Sequence, residues 1–410
     1  MHPKPILGLA LVLGGGLASL ASGSPAAPTL FPITEISPAN IFTHLTASTT
    51  NADVTDDWFK KIKISCGFID ASGAKVIPPS TNWFPTHEVG KPFAEGLEPM
   101  QIRWQPGQPF GNQFGYLNAQ GQFAIAPQFS LARRFSEGLA AVRTRQGYGY
   151  IDHAGQFVIP PQFAGANGFS EGLAQVVATN DLMGFIDRHG NWVVKPQFRA
   201  SSRQSDFSEG LACVPTNDAT LQFPFASGTN PEFKWGYLNP HGELVIGFRF
   251  KEANAFSEGL AAVSEKIQAD DGDEKTGEHS MPPPFSKGGY IDKTGKYVIP
   301  PQFDGVWNFS EGLARVSVAG QMRFINRQGK IVFTVTNGEW ADEFSEGLAN
   351  VSIRTGAGEA IWGYINPTGQ FVIPPQFQQA EPFYHGRAQV VLDNKSAYID
   401  QNGHLVWKQP

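Results

Sequence analysis

Phe169-Ser170-Glu171-Gly172-Leu173-Ala174 is the stretch that decides the fold, because the chain repeats it. Identical hexapeptides begin at Phe135, Phe169, Phe207, Phe256, Phe309 and Phe344, and altered copies begin at Phe93 and Phe383. A unit that recurs every few dozen residues folds as an array, in which each copy buries its apolar face against the next. The 410 residues are therefore predicted to form one array rather than two or three unrelated domains.

A second motif predicts a tight turn in every unit. Aspartate or asparagine stands three residues before glycine at Asp70/Gly73, Asn118/Gly121, Asp152/Gly155, Asp187/Gly190, Asn239/Gly242, Asp292/Gly295, Asn326/Gly329, Asn366/Gly369 and Asp400/Gly403. A type I turn favours Asp or Asn at its first position, where the side chain bonds the backbone ahead, and Gly at its fourth. Such turns join neighbouring strands into hairpins.

The remaining pattern predicts strands and no helix. Apolar runs such as Phe157-Val158-Ile159 follow the turns, and in several units a pair of prolines comes next; because proline cannot donate to a ladder, such a strand either ends there or lies at the edge of its sheet. Gly 45, Pro 31 and Phe 32 also favour short strands and turns. We predict an all-β tandem array of about nine three-stranded hairpin repeats. An open, curved solenoid is favoured because no strand is plainly exchanged between the termini, and a closed, propeller-like ring is the alternative.

The N-terminus has the features of a secretory signal peptide over residues 1–23. Lys4 precedes an apolar stretch from Ile6 to Leu13, and small residues follow. The apolar stretch is shorter than the roughly 20 residues of a membrane span, and an uncleaved anchor is the alternative. Residues 24–57 are predicted to be a flexible linker or lead-in, and residues 58–410 the array. An exported location follows, in the periplasm, the cell envelope or outside the cell.

Two segments carry a family resemblance. Trp235-Gly236-Tyr237-Leu238-Asn239 and Trp362-Gly363-Tyr364-Ile365-Asn366, taken with the hexapeptide and the turn, resemble the WG-containing repeat family of bacteria. The resemblance covers roughly residues 58–410. It implies a β-rich repeat with a role in interaction and no shared catalytic residues.

The charge of the chain bears on its possible partners, and the cysteine content bears on disulfide formation. The formal charge of -6, with no basic block, predicts no nucleic-acid partner, and no cofactor motif is present. Cys66 and Cys213 stand at different positions of different repeats, so we predict two buried thiols rather than a disulfide.

The polar residues that recur are predicted to serve the scaffold. They are the hexapeptide glutamates Glu95, Glu137, Glu171, Glu209, Glu258, Glu311 and Glu346. A residue that every unit keeps is explained by a turn or a backbone hydrogen bond, and a ring of acid–base or cation-binding carboxylates is the alternative. His153, His189, His241 and His404 lie in or beside the turns without a ligand-type spacing, so no metal site is predicted.

Aromatic residues outside the repeat pattern are the predicted binding residues, namely Trp104, Phe223, Phe225, Phe233, Trp235, Trp307 and Trp340. Packing under long loops is the alternative role. Insertions fall between two strands of the unit at 104–113, 215–234 and 265–287, and insertions at one topological position emerge on one face. That face is expected to bind.

Three functions are compatible with these patterns. The favoured one is an exported, non-catalytic scaffold that binds a protein, peptide or glycan through its inserted loops. A glycan hydrolase that uses loop carboxylates such as Glu339, Asp342 or Glu343 is the second, and it requires two carboxylates about 5 to 10 Å apart across a cleft. A structural spacer of the cell envelope is the third, and it predicts no pocket and no cluster of irregular aromatics.

Overall fold

The computed structural model describes residues 29–37, 63–85, 93–102, 113–199, 206–216, 234–266, 286–356 and 358–410. These residues form nine antiparallel sheets, which we call blades 1 to 9 in chain order. No helix occurs within these ranges, so none of them provides a helix able to span a membrane.

The strands of the first three blades are β1 (Phe31–Ser37), β2 (Lys63–Ile69) and β3 (Lys75–Ser80) in blade 1; β4 (Trp83–Pro85), β5 (Leu97–Ile102), β6 (Gln113–Asn118) and β7 (Phe123–Phe129) in blade 2; and β8 (Leu131–Ala132), β9 (Ala140–Thr144), β10 (Gly147–Ile151) and β11 (Phe157–Phe163) in blade 3.

The middle blades contain β12 (Gly165–Ser170), β13 (Leu173–Val177), β14 (Leu182–Asp187) and β15 (Trp192–Arg199) in blade 4; β16 (Ala212–Pro215), β17 (Trp235–Leu238) and β18 (Leu244–Phe250) in blade 5; and β19 (Glu252–Ala253), β20 (Ala261–Lys266), β21 (Ser286–Ile291) and β22 (Tyr297–Phe303) in blade 6.

The last blades contain β23 (Gly305–Ser310), β24 (Leu313–Val318), β25 (Gln321–Asn326) and β26 (Ile331–Thr334) in blade 7; β27 (Gly338–Ala341), β28 (Ala349–Arg354), β29 (Ala360–Ile365) and β30 (Phe371–Phe377) in blade 8; and β31 (Gln379–Ala380), β32 (Ala388–Leu392), β33 (Lys395–Ile399) and β34 (Leu405–Lys408) in blade 9.

Most blades have one strand more than the three predicted. Blades 1 and 5 show three strands in the described residues, and the other seven blades show four. The additional strand begins before the hexapeptide phenylalanine, as Leu131–Ala132 does in blade 3, where it pairs with β9. So short a segment has no alternation of apolar and polar residues. Its pairing is decided by the neighbouring strand rather than by its own pattern.

The hairpin turns are the ones that the sequence predicts. At all nine positions the glycine N–H donates to the carbonyl of the Asp or Asn, and the glycine φ angles lie between 74° and 87°. In the turn at Asp152, Oδ1 also accepts the N–H groups of Ala154 and Gln156, each at 2.9 Å. The Asp or Asn therefore fixes the turn, and glycine supplies its positive φ.

The blades form a closed ring, which was the alternative to the favoured open solenoid. At five of the eight junctions between consecutive blades, a buried tyrosine hydroxyl donates to a carbonyl in or just after the first strand of the next blade, as Tyr150 does to the carbonyl of Asn167 at 2.7 Å. Tyr398 of blade 9 makes the same bond, also at 2.7 Å, to the carbonyl of Pro32 in blade 1. Arg387 Nε also reaches the carbonyl of Ala71, at 2.8 Å. Blade 9 therefore contacts blade 1 through the same kind of bond that joins consecutive blades.

The strand that completes this closure lies in the region predicted to be a lead-in. Residues 31–37 form β1 and pair with β2 along its whole length, whereas the rest of 24–57 lies mostly outside the described residues. Nothing in this segment repeats the hexapeptide or the turn, and Pro32 is unusual within a strand. The open solenoid was favoured because this strand carries no repeat signature.

The core is divided among the interfaces between blades. The phenylalanine of each hexapeptide packs on an aromatic ring of the preceding blade, as Phe169 does on Tyr150 at a centroid distance of 4.9 Å. Both rings are almost fully buried. Cys66 and Cys213 are buried in blades 1 and 5, respectively, and no disulfide joins them.

Candidate functional site

The recurrent glutamates hold consecutive repeats together. The carboxylate of Glu137 accepts the N–H of Gly172, in the next hexapeptide, at 3.0 Å. Glu95, Glu171, Glu209, Glu258, Glu311 and Glu346 accept the corresponding glycine N–H in the same way. The hexapeptide serine adds a second bond, since Ser170 Oγ donates to the carbonyl of Phe207 at 2.7 Å. These side chains serve the scaffold, as predicted.

Only part of the predicted binding set lies in the described residues. Trp104, Phe223, Phe225 and Phe233 fall outside them. Trp235 is 5% exposed and packs with Tyr237, Ala253 and Phe256 in the core between blades 5 and 6. Packing, the alternative role considered for these aromatics, therefore describes Trp235.

The other two predicted residues, Trp307 and Trp340, are brought together by an arginine. The Cζ atom of Arg315 lies 3.9 Å from the ring centroid of Trp307 and 4.4 Å from that of Trp340. Arg315 and Trp307 belong to blade 7, and Trp340 belongs to blade 8. Only 3% of Arg315 is exposed, which strengthens its attraction to both rings, whereas Trp340 is 47% exposed. The stack therefore holds an exposed indole in place.

The three carboxylates considered for hydrolysis surround this stack, and the protein engages each of them. Glu339 forms an ion pair with Arg354. Asp342 accepts the indole N–H of Trp340 at 2.9 Å and the amide of Asn350 at 2.6 Å. Burial raises the pKa of Glu343, although a backbone hydrogen bond from Asn308 and the charge of Arg315 oppose that change.

Burial also lowers the pKa of Arg315, while the charges of Asp342 and Glu343 act in the opposite direction. The carboxylates thus help to keep the guanidinium charged between the two indoles. Asp342 and Glu343 therefore support Arg315 as a fixed cation.

A pocket of 330 Å³ lies between blades 6 and 7, beside the same tryptophan. Its polar lining consists of Glu252, Asn254, Ser264, Ser286 and Asp304, and Trp307 contributes to its wall. Ser286 opens β21 immediately after residues 267–285, which belong to the predicted 265–287 insertion and lie outside the described residues. The pocket therefore adjoins the base of that insertion.

An exchange of side-chain size accounts for the pocket. The position of the Trp in Trp-Gly is Trp235 in blade 5 and Trp362 in blade 8, and each packs in one cluster with an alanine of the next blade, Ala253 or Ala380. Blade 6 has Gly288 at this position. Blade 7 has Val306 at the position of Ala253 and Ala380. The methyl groups of Val306 would lie 2.6 Å from a Cβ built on Gly288. A valine replaces only part of an indole's volume, so space remains.

One ion pair and a second lysine oppose the carboxylate charge of the pocket. Asp304 forms an ion pair with Lys287, and its Oδ2 accepts the N–H of Ala319 at 2.6 Å. The bond from Lys287, followed by the bond from Ala319, lowers the pKa of Asp304. Lys251 Nζ lies 3.4 Å from Ser286 Oγ at the pocket edge. Ser264 Oγ is buried without a hydrogen-bond partner.

Sequence reasoning did not find this pocket, although a signal was present. Gly288 stands where two units have tryptophan, and Val306 stands where alanine precedes the hexapeptide phenylalanine in other blades. Either change alone suggests only altered packing. Their relation becomes visible once β21 and β23 are known to face each other across a blade junction.

In the described part of the chain, no group of three or more His, Cys, Asp or Glu side chains is arranged to hold a metal ion. His153 instead stacks on Phe135 at a centroid distance of 4.3 Å and lies 3.2 Å from Glu95. His189 and His404 pair with the aspartates of their own turns, Asp187 and Asp400.

Comparison with protein families identifies the repeat. The model described as WG containing repeat matches residues 114–146, 148–180, 183–218, 235–266, 289–321 and 362–395. Among proteins with curated descriptions, none matches this sequence.

Several solved structures are similar at low identity. The computationally designed Ika8 protein has a TM-score of 0.41 and 10% identity, over 76% of this chain and 93% of that one. BamB from Moraxella catarrhalis has a TM-score of 0.35 and 12% identity, over 66% of this chain and 79% of that one. Hsv2 from Kluyvelomyces marxianus has a TM-score of 0.36 and 9% identity, over 64% and 89%. All three TM-scores lie below 0.5, so these similarities add nothing to the fold described above.

Proposed function

The chain belongs to the WG repeat family, and we propose that it is an exported, non-catalytic scaffold that binds a protein, peptide or glycan partner at blades 6 to 8. The repeat itself leaves little for binding, because its glutamates and serines are engaged between hexapeptides. Residues that depart from the repeat gather instead at the pocket and at the Trp307–Arg315–Trp340 stack.

The observation that carries this proposal is the fixed exposure of Trp340. Its ring lies over Arg315 and its N–H is bonded to Asp342, yet 47% of the residue is exposed. Anchors of protein interfaces are often tryptophans, and an anchor held in place before binding costs less ordering entropy. Trp307 joins the stack to the pocket, so one partner can contact both.

Export is the second part of the proposal, and it rests on the features of residues 1–23. Fractionation of the source cells tests it. The chain is expected in the periplasm, the envelope or the medium, with a mass reduced by about 23 residues. Recovery of the intact chain from the cytoplasm would contradict export.

A capture experiment tests binding. The tagged full-length chain is recovered from its source cells, and bound proteins and glycans are identified by mass spectrometry. Trp340→Ala is expected to reduce recovery of the partner at least tenfold, as the loss of an anchor does. Trp192→Ala is the matched control, since Trp192 is also exposed, at 37%, but lies on blade 4. Equal recovery with both variants, or no partner of the parent chain, would overturn the proposal.

The same experiment separates the other two functions. A hydrolase would release shortened products from a recovered glycan, and Asp342→Asn or Glu343→Gln would stop that release. A spacer predicts neither a pocket nor a cluster of irregular aromatics, whereas both are present at blades 6 to 8. Binding without product release is the expected result.

A further inference from the structure

We propose that the pocket between blades 6 and 7 binds a neutral sugar ring. This inference rests on the proposed binding function and names a ligand class for one part of the site. The pocket, at 330 Å³, falls at the lower end of the range of about 300 to 1,000 Å³ that is usual for small-molecule sites. It is therefore suited to one or two sugar units rather than to a folded domain.

The size exchange at the junction places this space beside polar groups. Where the repeat keeps its tryptophan, as at Trp235 and Trp362, the indole and an alanine share one apolar cluster. At Gly288 and Val306 the vacated space extends to Asn254, Ser264 and other polar side chains. An aromatic side chain from a partner would have to cover these polar groups without bonding them, which is costly.

The polar groups match the chemistry of hydroxyls. Each sugar hydroxyl donates one hydrogen bond and accepts others, and the pocket offers carboxylate, amide and hydroxyl groups. Asn254 is the clearest case, because it is half-buried at the pocket wall and its amide offers both a donor and an acceptor. A ligand hydroxyl can accept from its N–H groups or donate to its carbonyl oxygen.

The aromatic wall matches the remaining face of a sugar. A sugar ring presents C–H groups between its hydroxyls, and an indole is the largest apolar surface that a protein can set against them. Gly305 makes room for this wall, because a Cβ on Gly305 would lie 2.9 Å from the outer edge of the Trp307 ring. Arg315 stacks on the same indole, with its Cζ 3.9 Å from the ring centroid.

The local charge disfavours ionic ligands. Glu252 and Asp304 would repel an anion. A cation would have to compete with Lys287, which already pairs with Asp304, and with Lys251 at the rim. Two carboxylates and two ammonium groups leave no net charge to recruit either type of ion. A neutral, hydroxyl-rich ligand meets no such penalty.

The experiment measures the binding of defined trisaccharides to the full-length chain by calorimetry and saturation-transfer NMR. The neutral probes are chitotriose, cellotriose and maltotriose. The charged counterparts are the deacetylated chitosan trimer, which is cationic, and trigalacturonic acid, which is anionic. At least one neutral probe is expected to bind, and at least tenfold more tightly than either charged probe.

A repacked variant tests the location. Gly288→Trp combined with Val306→Ala restores the pair found at Trp235 and Ala253, so it fills the pocket with side chains that the fold already accommodates. Affinity for the neutral probe is expected to fall at least tenfold. Tyr148→Trp, at the same position of blade 3 beside Ala166, is the matched control and is expected to change affinity less than twofold.

A second variant avoids any dependence on repacking. Asn254→Ala shortens a half-buried side chain at the pocket wall and keeps the backbone carbonyl that accepts from Tyr237. Loss of one bond to the ligand is expected to weaken binding about 2- to 10-fold. Unchanged affinity in both Asn254→Ala and the filled variant would place the sugar elsewhere and overturn the proposal.

The remaining outcomes separate this inference from the proposed function. Capture of a partner that depends on Trp340, together with no binding of any neutral trisaccharide, would overturn the sugar proposal and leave the scaffold proposal in place. Tighter binding of a charged trimer would likewise overturn it. Sugar binding that is lost in the filled variant would support it even if no protein partner is captured.

Discussion

The junction between blades 5 and 6 and the junction between blades 6 and 7 are built from the same repeat but are filled differently. At the first, Trp235 packs beside Ala253 in the apolar cluster between the blades. At the second, Gly288 faces Val306, and a 330 Å³ pocket opens. One bond across the junction is the same at both, since the hydroxyls of Tyr237 and Tyr290 each donate to a backbone carbonyl of the next blade at 2.8 Å. The difference teaches that side-chain volume can change at one junction while the backbone scaffold is kept.

The largest effect is expected where the tryptophan is structural. Trp235→Ala should lower the free energy of unfolding by about 3 to 5 kcal/mol, because it leaves a cavity in a closely packed interface. Chemical denaturation measures the change. Val306→Ala, which enlarges a space that is already open, should cost far less. Similar losses for both variants would show that the two junctions do not differ as described.

The next largest effect is expected at the turn glycines, which both junctions have in common. The turn glycines Gly295 and Gly329 have φ angles of 83° and 76°, and a Cβ on either would lie about 3 Å from an isoleucine of the preceding blade, Ile246 or Ile299. Replacement of either by valine should cost about 1 to 3 kcal/mol through backbone strain, with the contact adding to it. Equal thermal destabilisation is expected at both junctions. A tolerated substitution at Gly329 alone would mean that the pocket reaches the turn.

The hexapeptide glycine Gly312 offers a control that separates backbone strain from the side-chain contact. Its φ is 82°, and a Cβ there would meet nothing within 4 Å. Gly312→Val should therefore show the strain without the contact with a preceding blade. A larger loss at Gly312 than at Gly295 would contradict the contribution of the isoleucine contact.

Two serines sharpen the comparison further. Ser170 Oγ donates to the carbonyl of Phe207 in the next hexapeptide, whereas Ser264 Oγ in the pocket has no protein partner. Ser170→Ala should cost about 0.5 to 1.5 kcal/mol, the net worth of one hydrogen bond, and Ser264→Ala should cost nothing measurable. Urea denaturation of the two variants, side by side, checks both values. A measurable loss at Ser264 would indicate that the scaffold uses its hydroxyl.

The smallest effect concerns pH and compares the turns of blades 6 and 8. The Thr294 hydroxyl lowers the pKa of Asp292 in the folded state, burial opposes it, and backbone N–H groups add to the lowering. Since the folded pKa is depressed, Asp292 contributes stability above its unfolded pKa of about 4, and that contribution is lost as the pH falls through the folded pKa. Asn366 makes the same bond with Thr368 but carries no charge.

The melting temperatures of Asp292→Asn and the parent, measured between pH 7 and pH 3, test this assignment. The variant should be slightly less stable at pH 7, and the difference should shrink at pH 3. Asn366→Asp is the reciprocal variant and should gain the same acid sensitivity. A gap that widens on acidification would reverse the sign and contradict the role given to Thr294.

Much of the fold was accessible from local patterns. The turn at Asp152 and Gly155 follows from short-range chemistry. The structural role of Glu137 follows from its recurrence in the repeats, although its bond reaches Gly172 in the next hexapeptide. The four-stranded blades were not accessible, because Leu131 and Ala132 form a strand only by pairing with β9. Ring closure was hidden as well, since β1 carries no repeat motif.

The candidate site shows the same limit. Trp307 and Trp340 were identified as irregular aromatics, but the residue that joins them, Arg315, occupies an ordinary position of its strand. The two tryptophans lie in different blades, and nothing local in the sequence relates them. Gly288 and Val306 are paired only by the stacking of blade 7 on blade 6.

The sequence by itself determined the repeated unit, its turns and the bonds between hexapeptides, because these depend on residues a few positions apart or one period apart. The tertiary structure decided that nine such units close into a ring and that one junction is left partly open. Both outcomes depend on the volumes and backbone groups that meet across blade faces, as Tyr398 meets Pro32 and Gly288 meets Val306. Tyr398 and Pro32 lie near opposite ends of the chain, and although Gly288 and Val306 keep the spacing of Trp235 and Ala253, the space beside them depends on side-chain volumes that meet only in the fold.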